Sequence, residues 1–358
     1  MSKLKAGIIG CGGIAAGKHL PSMTATKEAD IIAFCDIIKS RAEDCGKKFG
    51  AKGYKVYTDY KELLKEDLDF VCVCTPNISH SEISVAALKS GKHVLCEKPM
   101  AINYAEGQKM VNAAKETGKL LSIGYQNRYT DDASFLKTEI EKGTLGEIYY
   151  AKAHAIRRRG VPTWGVFLDE EKQGGGPLID IGTHALDLTL YMMNNYKPKF
   201  VVGTVYHKLN KDKDTANAWG DWDVKKFTVE DSAFGFIVME NGATIVLESS
   251  WALNILDTRE AQCTLCGTKA GADFSQGLTV NGVMNGKKYS LKPDTQAGGA
   301  AFYDGKSVSP ADMEAITFVN AVKGKGKLKV LPEQALVVTQ ILEGIYTSAK
   351  TGKPYYFN

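Results

Sequence analysis

Long hydrophobic runs are missing from this 358-residue chain. No stretch reaches the ~18 apolar residues of a membrane-spanning helix, so a membrane role is not expected. The N-terminus, Met1-Ser-Lys-Leu-Lys5-Ala-Gly, also lacks the apolar core of a signal peptide, which predicts a cytoplasmic protein. An excess of one charge is missing too: 45 Lys and Arg stand against 41 Asp and Glu, for a formal net charge of +4. That balance, spread evenly, argues against nucleic acid or an anionic membrane as the main partner. A regular cysteine framework is absent as well: the eight cysteines are irregularly spaced, which suggests reduced thiols rather than disulfides. Cys72 and Cys74 alternate with valines and read as small core residues. The Cys263-x-x-Cys266 pair lacks the two further ligands of a zinc site, and His19, His93, His154 and His207 show no paired ligand spacing, so no metal is expected. Internal repeats and low-complexity tracts are absent, which excludes solenoids and fibrous folds. What remains is ordinary globular composition, 44% hydrophobic and 24% charged, at a length that favours two domains.

The first half alternates short apolar runs with helical patterns, the mark of parallel β-α units. Strands are predicted at 4–9, 31–35, 70–74, 93–96 and 120–124, with a weaker one near 54–57. Ser79-His-Ser-Glu82 and Asn103-Tyr-Ala-Glu106 read as capping boxes at helix starts. From Tyr125 the texture changes. Asn241-Gly, Asn281-Gly and Asn285-Gly read as hairpin turns between β-rich runs, which predicts antiparallel pairing. A helix is expected at about 132–142 and a strand at 147–156. Two helices close the chain, one capped by Ser309 with Pro310 in its first turn and one opened by Pro332. The fold class is therefore α/β: a doubly wound domain over 1–124, then an α+β domain with a largely antiparallel sheet over 125–358. The long polar loop 207–228, which carries Trp219 and Trp222, is the kind of segment that more often serves function than idles.

Gly10-Cys11-Gly12-Gly13-Ile14-Ala15 follows a predicted strand and opens a predicted helix, the context that a dinucleotide fingerprint requires. Gly10 permits the tight turn, Gly12 lets the backbone approach a pyrophosphate, and the helix start offers N–H groups. Cys11 at that helix start reads as a quiet thiol near the cofactor. Asp36 closes the second strand close to the ~20-residue spacing of an acid that binds a ribose 2′-hydroxyl, which favours NAD over NADP. Lys39 and Arg41 follow it and leave room for a 2′-phosphate. Thr75-Pro76-Asn77 ends a buried strand, where open α/β sheets bind ligands.

Together with Glu97-Lys98-Pro99, Thr75-Pro76-Asn77-x-x-His80 and Gly174-Gly-Gly-Pro-Leu-Ile-Asp180-Ile-Gly-Thr-His184-x-x-Asp187, the fingerprint resembles the Gfo/Idh/MocA oxidoreductase family. The segments Val229-Glu-Asp231 and Asn241-Gly242 are similar to it as well. The resemblance implies a Rossmann domain and oxidation or reduction of sugars, inositols and related polyols with NAD or NADP. It further implies cofactor contacts from Gly10, Gly12, Gly13, Ile14, Asp36, Asn77, His80, Glu97 and Lys98, and a cis Lys98–Pro99 bond. It also implies that the open face of the second sheet packs on another subunit, as a homodimer or homotetramer built on strands between 200 and 272.

The chemistry agrees with the residues. Taking hydride from a carbinol carbon needs a base near neutral pH and a positive group for the developing alkoxide. Asp180 and His184 are four apart in a helical stretch and so share one face. His184 is the expected acid/base, Asp180 its partner and Lys98 the electrostatic aid. Gln126 is placed near the nicotinamide, and Arg128, Arg157 and Trp164 near the substrate. Trp219 or Trp222 would stack on the C–H face of a ring held between the domains, with packing under the loop as the alternative. Two rival functions stand beside the dehydrogenase: an NAD-dependent glycosidase acting by transient sugar oxidation, and a non-catalytic nucleotide-sensing regulator.

Overall fold

The apolar runs of the first half become six parallel strands in the computed structural model, which describes residues 2–295 and 308–357. They are β1 (Leu4–Ile9), β2 (Ala29–Cys35), β3 (Lys55–Tyr57), β4 (Phe70–Val73), β5 (His93–Cys96) and β6 (Leu121–Ile123). Their order is β3-β2-β1-β4-β5-β6, with every pairing parallel. Helices cover both faces, so the central strands need no polar side: all four residues of β4 are buried. The strand order reverses direction at β1 and β4, and doubly wound sheets bind ligands at such a switch point.

The first compact unit comprises residues up to 129 together with 308–336. The returning segment is part of its core: Phe318 of the helix Pro310–Val322 packs edge-on to Phe70 at 5.4 Å between centroids, beside buried Ala315 and Val319. Ser309 caps that helix, its side chain accepting from the Asp312 N–H at 3.1 Å. A single cut at 124/125 therefore does not describe the packing, because residues far apart in sequence share one apolar core.

The rest of the described chain forms the second unit. Its strands are β7 (Ile148–Ile156), β8 (Pro198–Tyr206), β9 (Ser232–Met239), β10 (Thr244–Ser250), β11 (Arg259–Gly267), β12 (Ala270–Asp273), β13 (Thr279–Met284), β14 (Lys287–Leu291) and β15 (Tyr355–Tyr356). They form one sheet in the order β14-β13-β12-β11-β7-β10-β9-β8-β15, antiparallel except for β7 beside β10. Ala151, Ala153 and Ala155 of β7 are buried on the face that the helix Thr183–Met193 covers. Gly203 and Gly235 lie under the C-terminal helix; a Cβ at either would meet Ile345 within 3 Å. The opposite face of the sheet leaves Val202, Tyr206 and Phe236 exposed.

Two local expectations are corrected. Asn281-Gly282 lies inside β13 and is not a turn: Gly282 pairs with Tyr289, whose ring would collide with a Cβ there. Ser79 makes no side-chain cap, because the 3-10 turn Asn77–Ser79 already runs helically into His80–Lys89. Asn103 does cap, accepting from the Glu106 N–H at 2.9 Å. No described helix is long and apolar enough to cross a membrane.

Candidate active site

In the first unit the ends of β1, β2 and β4 meet at the glycine loop. Gly10 has a φ of +89°, and a Cβ there would lie 2.6 Å from the Cys74 backbone, so only glycine fits. Asp36 joins the strand ends: its carboxylate accepts from the Cys11 N–H and the Ile38 N–H, each at 2.8 Å. Gly12 and Gly13 face open space, where a Cβ would meet nothing within 4 Å. A bare loop beside a fixed carboxylate suits the pyrophosphate and ribose of a dinucleotide, so the residues present fit NAD. Burial pushes the Cys11 thiol up, consistent with a quiet thiol. Arg41 is exposed in the helix that follows Asp36.

Behind this loop the structure gathers residues whose partnership no local spacing reveals. Glu97 is buried and accepts from Lys18 Nζ at 2.8 Å and from the Lys98 N–H at 3.0 Å, with His19 Nε2 at 2.6 Å. Lys18 also pairs with Glu314 at 2.9 Å. Burial pushes the Glu97 carboxyl up, but Lys18 and His19 outweigh it and hold the group well below the usual carboxylate range. Glu97 thus supports the loop that carries half-buried Lys98, and the Lys98–Pro99 bond is cis. His80 is buried with Nε2 at 2.9 Å from the Thr75 carbonyl and Nδ1 at 2.8 Å from that of Pro99, so it braces the two loops. Gln126 lies half-buried in the 3-10 turn Gln126–Tyr129. Arg128 is a correction: it is fully buried, and its Nη1 donates to the Lys329 carbonyl and to Gln334 at 3.0 and 2.6 Å. It anchors the returning segment instead of touching substrate hydroxyls.

In the second unit Asp180 lies in the π-helical turn Leu178–Gly182, and His184 follows at the start of the helix Thr183–Met193. Such turns inside helices are frequent at functional sites. Buried Glu230 fixes the start of this run, accepting from the N–H groups of Gly176 and Leu178 at 2.8 and 3.1 Å and from the Tyr346 hydroxyl at 2.8 Å. A Cβ at Gly176 would lie 2.4 Å from the Glu230 carbonyl oxygen, which explains glycine in that turn. Asp180 Oδ2 accepts from the indole N–H of fully buried Trp251 at 3.1 Å. Arg157 is held by both oxygens of Glu260, and its guanidinium lies 5.1 Å from the Trp219 ring centroid. Trp164 and Trp219 are exposed. Trp222 takes the alternative of packing under the loop: it is buried, and its N–H donates to the Asn210 carbonyl. Cys263 and Cys266 stand three residues apart on β11 and so face opposite sides of the sheet, which cannot make a joint metal site.

Glu230, Trp251 and Glu260 were not singled out by the sequence. Each lies more than 50 residues from the group it holds, beyond any helical or strand period; only the resemblance of Val229-Glu-Asp231 hinted at the first.

The comparisons with known proteins agree with this picture. Residues 4–125 match the model of the Gfo/Idh/MocA oxidoreductase family's NAD-binding Rossmann fold, and residues 137–357 match that family's C-terminal alpha/beta domain. The chain belongs to this family of NAD-binding oxidoreductases. It is 36% identical over 353 residues to D-glucoside 3-dehydrogenase of Escherichia coli (strain K12), covering 98% of this chain and 97% of that one. It is 30% identical over 191 residues to myo-inositol 2-dehydrogenase of Thermotoga maritima, covering 53% and 55%. Among solved structures, levoglucosan dehydrogenase in complex with NADH and levoglucosan shares the fold at a TM-score of 0.82 with 19% identity over 99% of both chains.

The position of Asp36 yields a prediction. Wild type is expected to bind NAD more tightly than NADP, and Asp36→Ser to reduce the preference by about ten- to a hundredfold, the worth of a charge-assisted hydrogen bond. Titration of both cofactors checks this; equal or tighter binding of NADP by wild type would remove the role from Asp36.

Proposed function

We propose that the chain is an NAD-dependent dehydrogenase that oxidises a secondary hydroxyl of a sugar, glycoside or related polyol. The observation that carries this reading is the Asp180–His184 pair on one helical run, with the carboxylate fixed by Trp251 and the run's start fixed by Glu230. Near full-length similarity to a D-glucoside 3-dehydrogenase supports the substrate class. When bound, NAD supplies the hydride acceptor. His184 takes the hydroxyl proton, Asp180 orients the imidazole and favours its charged form, and Lys98 steadies the alkoxide oxygen. The test mixes the protein with NAD or NADP and a panel of glucosides, aldoses and inositols, and follows both NADH absorbance and aglycone release. NADH formation without aglycone release is expected. Aglycone release without net NADH would make the protein a glycosidase, and neither signal would sink the catalytic reading.

The assembly is proposed as a homodimer or homotetramer in the cytoplasm. Exposed Val202, Tyr206 and Phe236 on the uncovered face of the second sheet support it, since soluble monomers seldom display such a patch. Light scattering is expected to give at least twice the 38.9 kDa chain mass. A monomer at micromolar concentration would reject the interface.

A further inference from the structure

The four tryptophans of the second unit fall into two pairs. Trp222 and Trp251 are buried, and each indole N–H donates inside the protein. Trp164 and Trp219 are 52% and 45% exposed, although indole is among the side chains that gain most from leaving water. Their rings meet edge to face at 5.2 Å between centroids and 80° between planes.

This exposure is not looseness, because the two loops that carry the pair are laced together. Thr163 Oγ1 donates to the Trp219 carbonyl at 2.7 Å. Asn217 accepts from the Val161 N–H at 2.8 Å and donates to the Val161 and Gly220 carbonyls at 2.9 and 2.8 Å. The Ala218 N–H donates to the Arg159 carbonyl at 3.2 Å. Arg157 packs on Trp219 while Glu260 and the Gly160 carbonyl engage its own donors, so the guanidinium serves as a plate for the indole. An aromatic surface fixed in this way needs no reordering to receive a ring, which is what favours binding there.

The pair is also continuous with the reacting end. Trp164 packs edge-on to Phe167 at 5.9 Å, Phe167 packs on Trp251 at 6.4 Å, and Trp251 donates to Asp180. The path from Asp180 to the exposed pair thus crosses two aromatic rings. The pair and Asp180 are therefore joined through one run of packed side chains in the second unit, which makes a group attached to a ring held at Asp180 the candidate occupant of the pair.

We propose that Trp164 and Trp219 form a second-ring subsite, which takes the aglycone of a glycoside whose sugar ring is oxidised at the Asp180–His184 end. A flat, apolar aglycone suits it best, because it can lie on one indole face and meet the edge of the other. The inference rests on the dehydrogenase reading above.

The test compares kcat/KM for phenyl glucoside and methyl glucoside in the NAD-loaded protein. Wild type is expected to prefer the phenyl glycoside by about tenfold, the worth of one aromatic stack. Trp219→Ala and Trp164→Ala should each bring that ratio close to one, and Trp219→Phe should keep most of it. A wild-type ratio near one overturns the subsite, and so does a parallel loss on both substrates in the alanine variants. A change of molecular mass in Trp219→Ala with the ratio intact would assign the pair to a subunit contact and also overturn it. NADH formed only from inositols or free sugars overturns the subsite and leaves the dehydrogenase reading standing. No NADH from any substrate overturns both.

Discussion

His184→Ala is expected to lower turnover of an identified substrate by about 10²- to 10⁴-fold, the usual loss when a positioned acid/base is removed. Cofactor affinity should be largely kept, since the substitution leaves the glycine loop and the Asp36 carboxylate that fit the dinucleotide unchanged. Asp180→Asn tests the same pair from the other side. It keeps the shape and an acceptor for the Trp251 N–H but removes the charge that the proposed pairing with His184 relies on. It should therefore cut turnover less than His184→Ala and move the pH–rate profile toward lower pH. Lys98→Ala should cripple turnover as well and weaken cofactor binding, because Lys98 follows the buried Glu97 behind the glycine loop. Measuring kcat and cofactor Kd for the three variants checks the assignment. Wild-type turnover by His184→Ala across neutral pH would give the acid/base role to another residue.

The second large effect is expected at Glu230. Glu230→Ala leaves the N–H groups of Gly176 and Leu178 and the Tyr346 hydroxyl without their buried acceptor, at a cost of roughly 3–5 kcal/mol of stability. It should also lower kcat, because the turn it releases opens the run that carries Asp180 and His184. The same residue sets a pH dependence. Burial pushes its carboxyl up to about 7, against which the Gly176 N–H, the Tyr346 hydroxyl and the Leu178 N–H work only in part. A carboxyl raised in the folded state binds its proton more tightly there than in the unfolded chain. Its stabilising contribution is therefore complete below the ordinary value of 4.5 and lost as pH rises through about 7, for roughly 3 kcal/mol in all. Chemical denaturation between pH 5 and pH 8 is expected to show wild type losing stability over this window and Glu230→Gln losing less. An equal slope in both proteins would show that Glu230 carries no such titration.

Much of the fold could be read from local pattern because the first sheet is parallel and buried. β1 and β5 lie where the apolar runs placed them, since the stretch of a strand covered on both faces, 6–9 in β1 and 94–96 in β5, carries no polar side chain. Asn103 and Ser309 announced their helices because a cap bonds within three residues of itself. The same local logic failed at Ser79, where a preceding turn had already set the helix, and at Asn281-Gly282. There the glycine answers to Tyr289 on the neighbouring strand. Arg128 read as a substrate ligand because it follows the last parallel strand. Its burial depends on Lys329 and Gln334, about 200 residues further along the chain.

The sequence by itself determined the glycine loop, the acid at the end of β2 and the helical run on which Asp180 and His184 stand four apart. Each is a contiguous motif whose spacing satisfies a turn, a strand end or a helical run, and that physics acts within a few residues; the cis Lys98–Pro99 bond followed from the family resemblance and not from spacing. Tertiary structure alone decided what holds these groups in place. Lys18 and His19 reach Glu97 from the helical segment after the glycine loop, and Glu314 returns to Lys18 from near the other end of the chain. Trp251 fixes Asp180, and Glu230 fixes the turn ahead of it. A buried charge or N–H must find a partner wherever the chain brings one, and a partner supplied by a distant strand or helix leaves no period in the sequence.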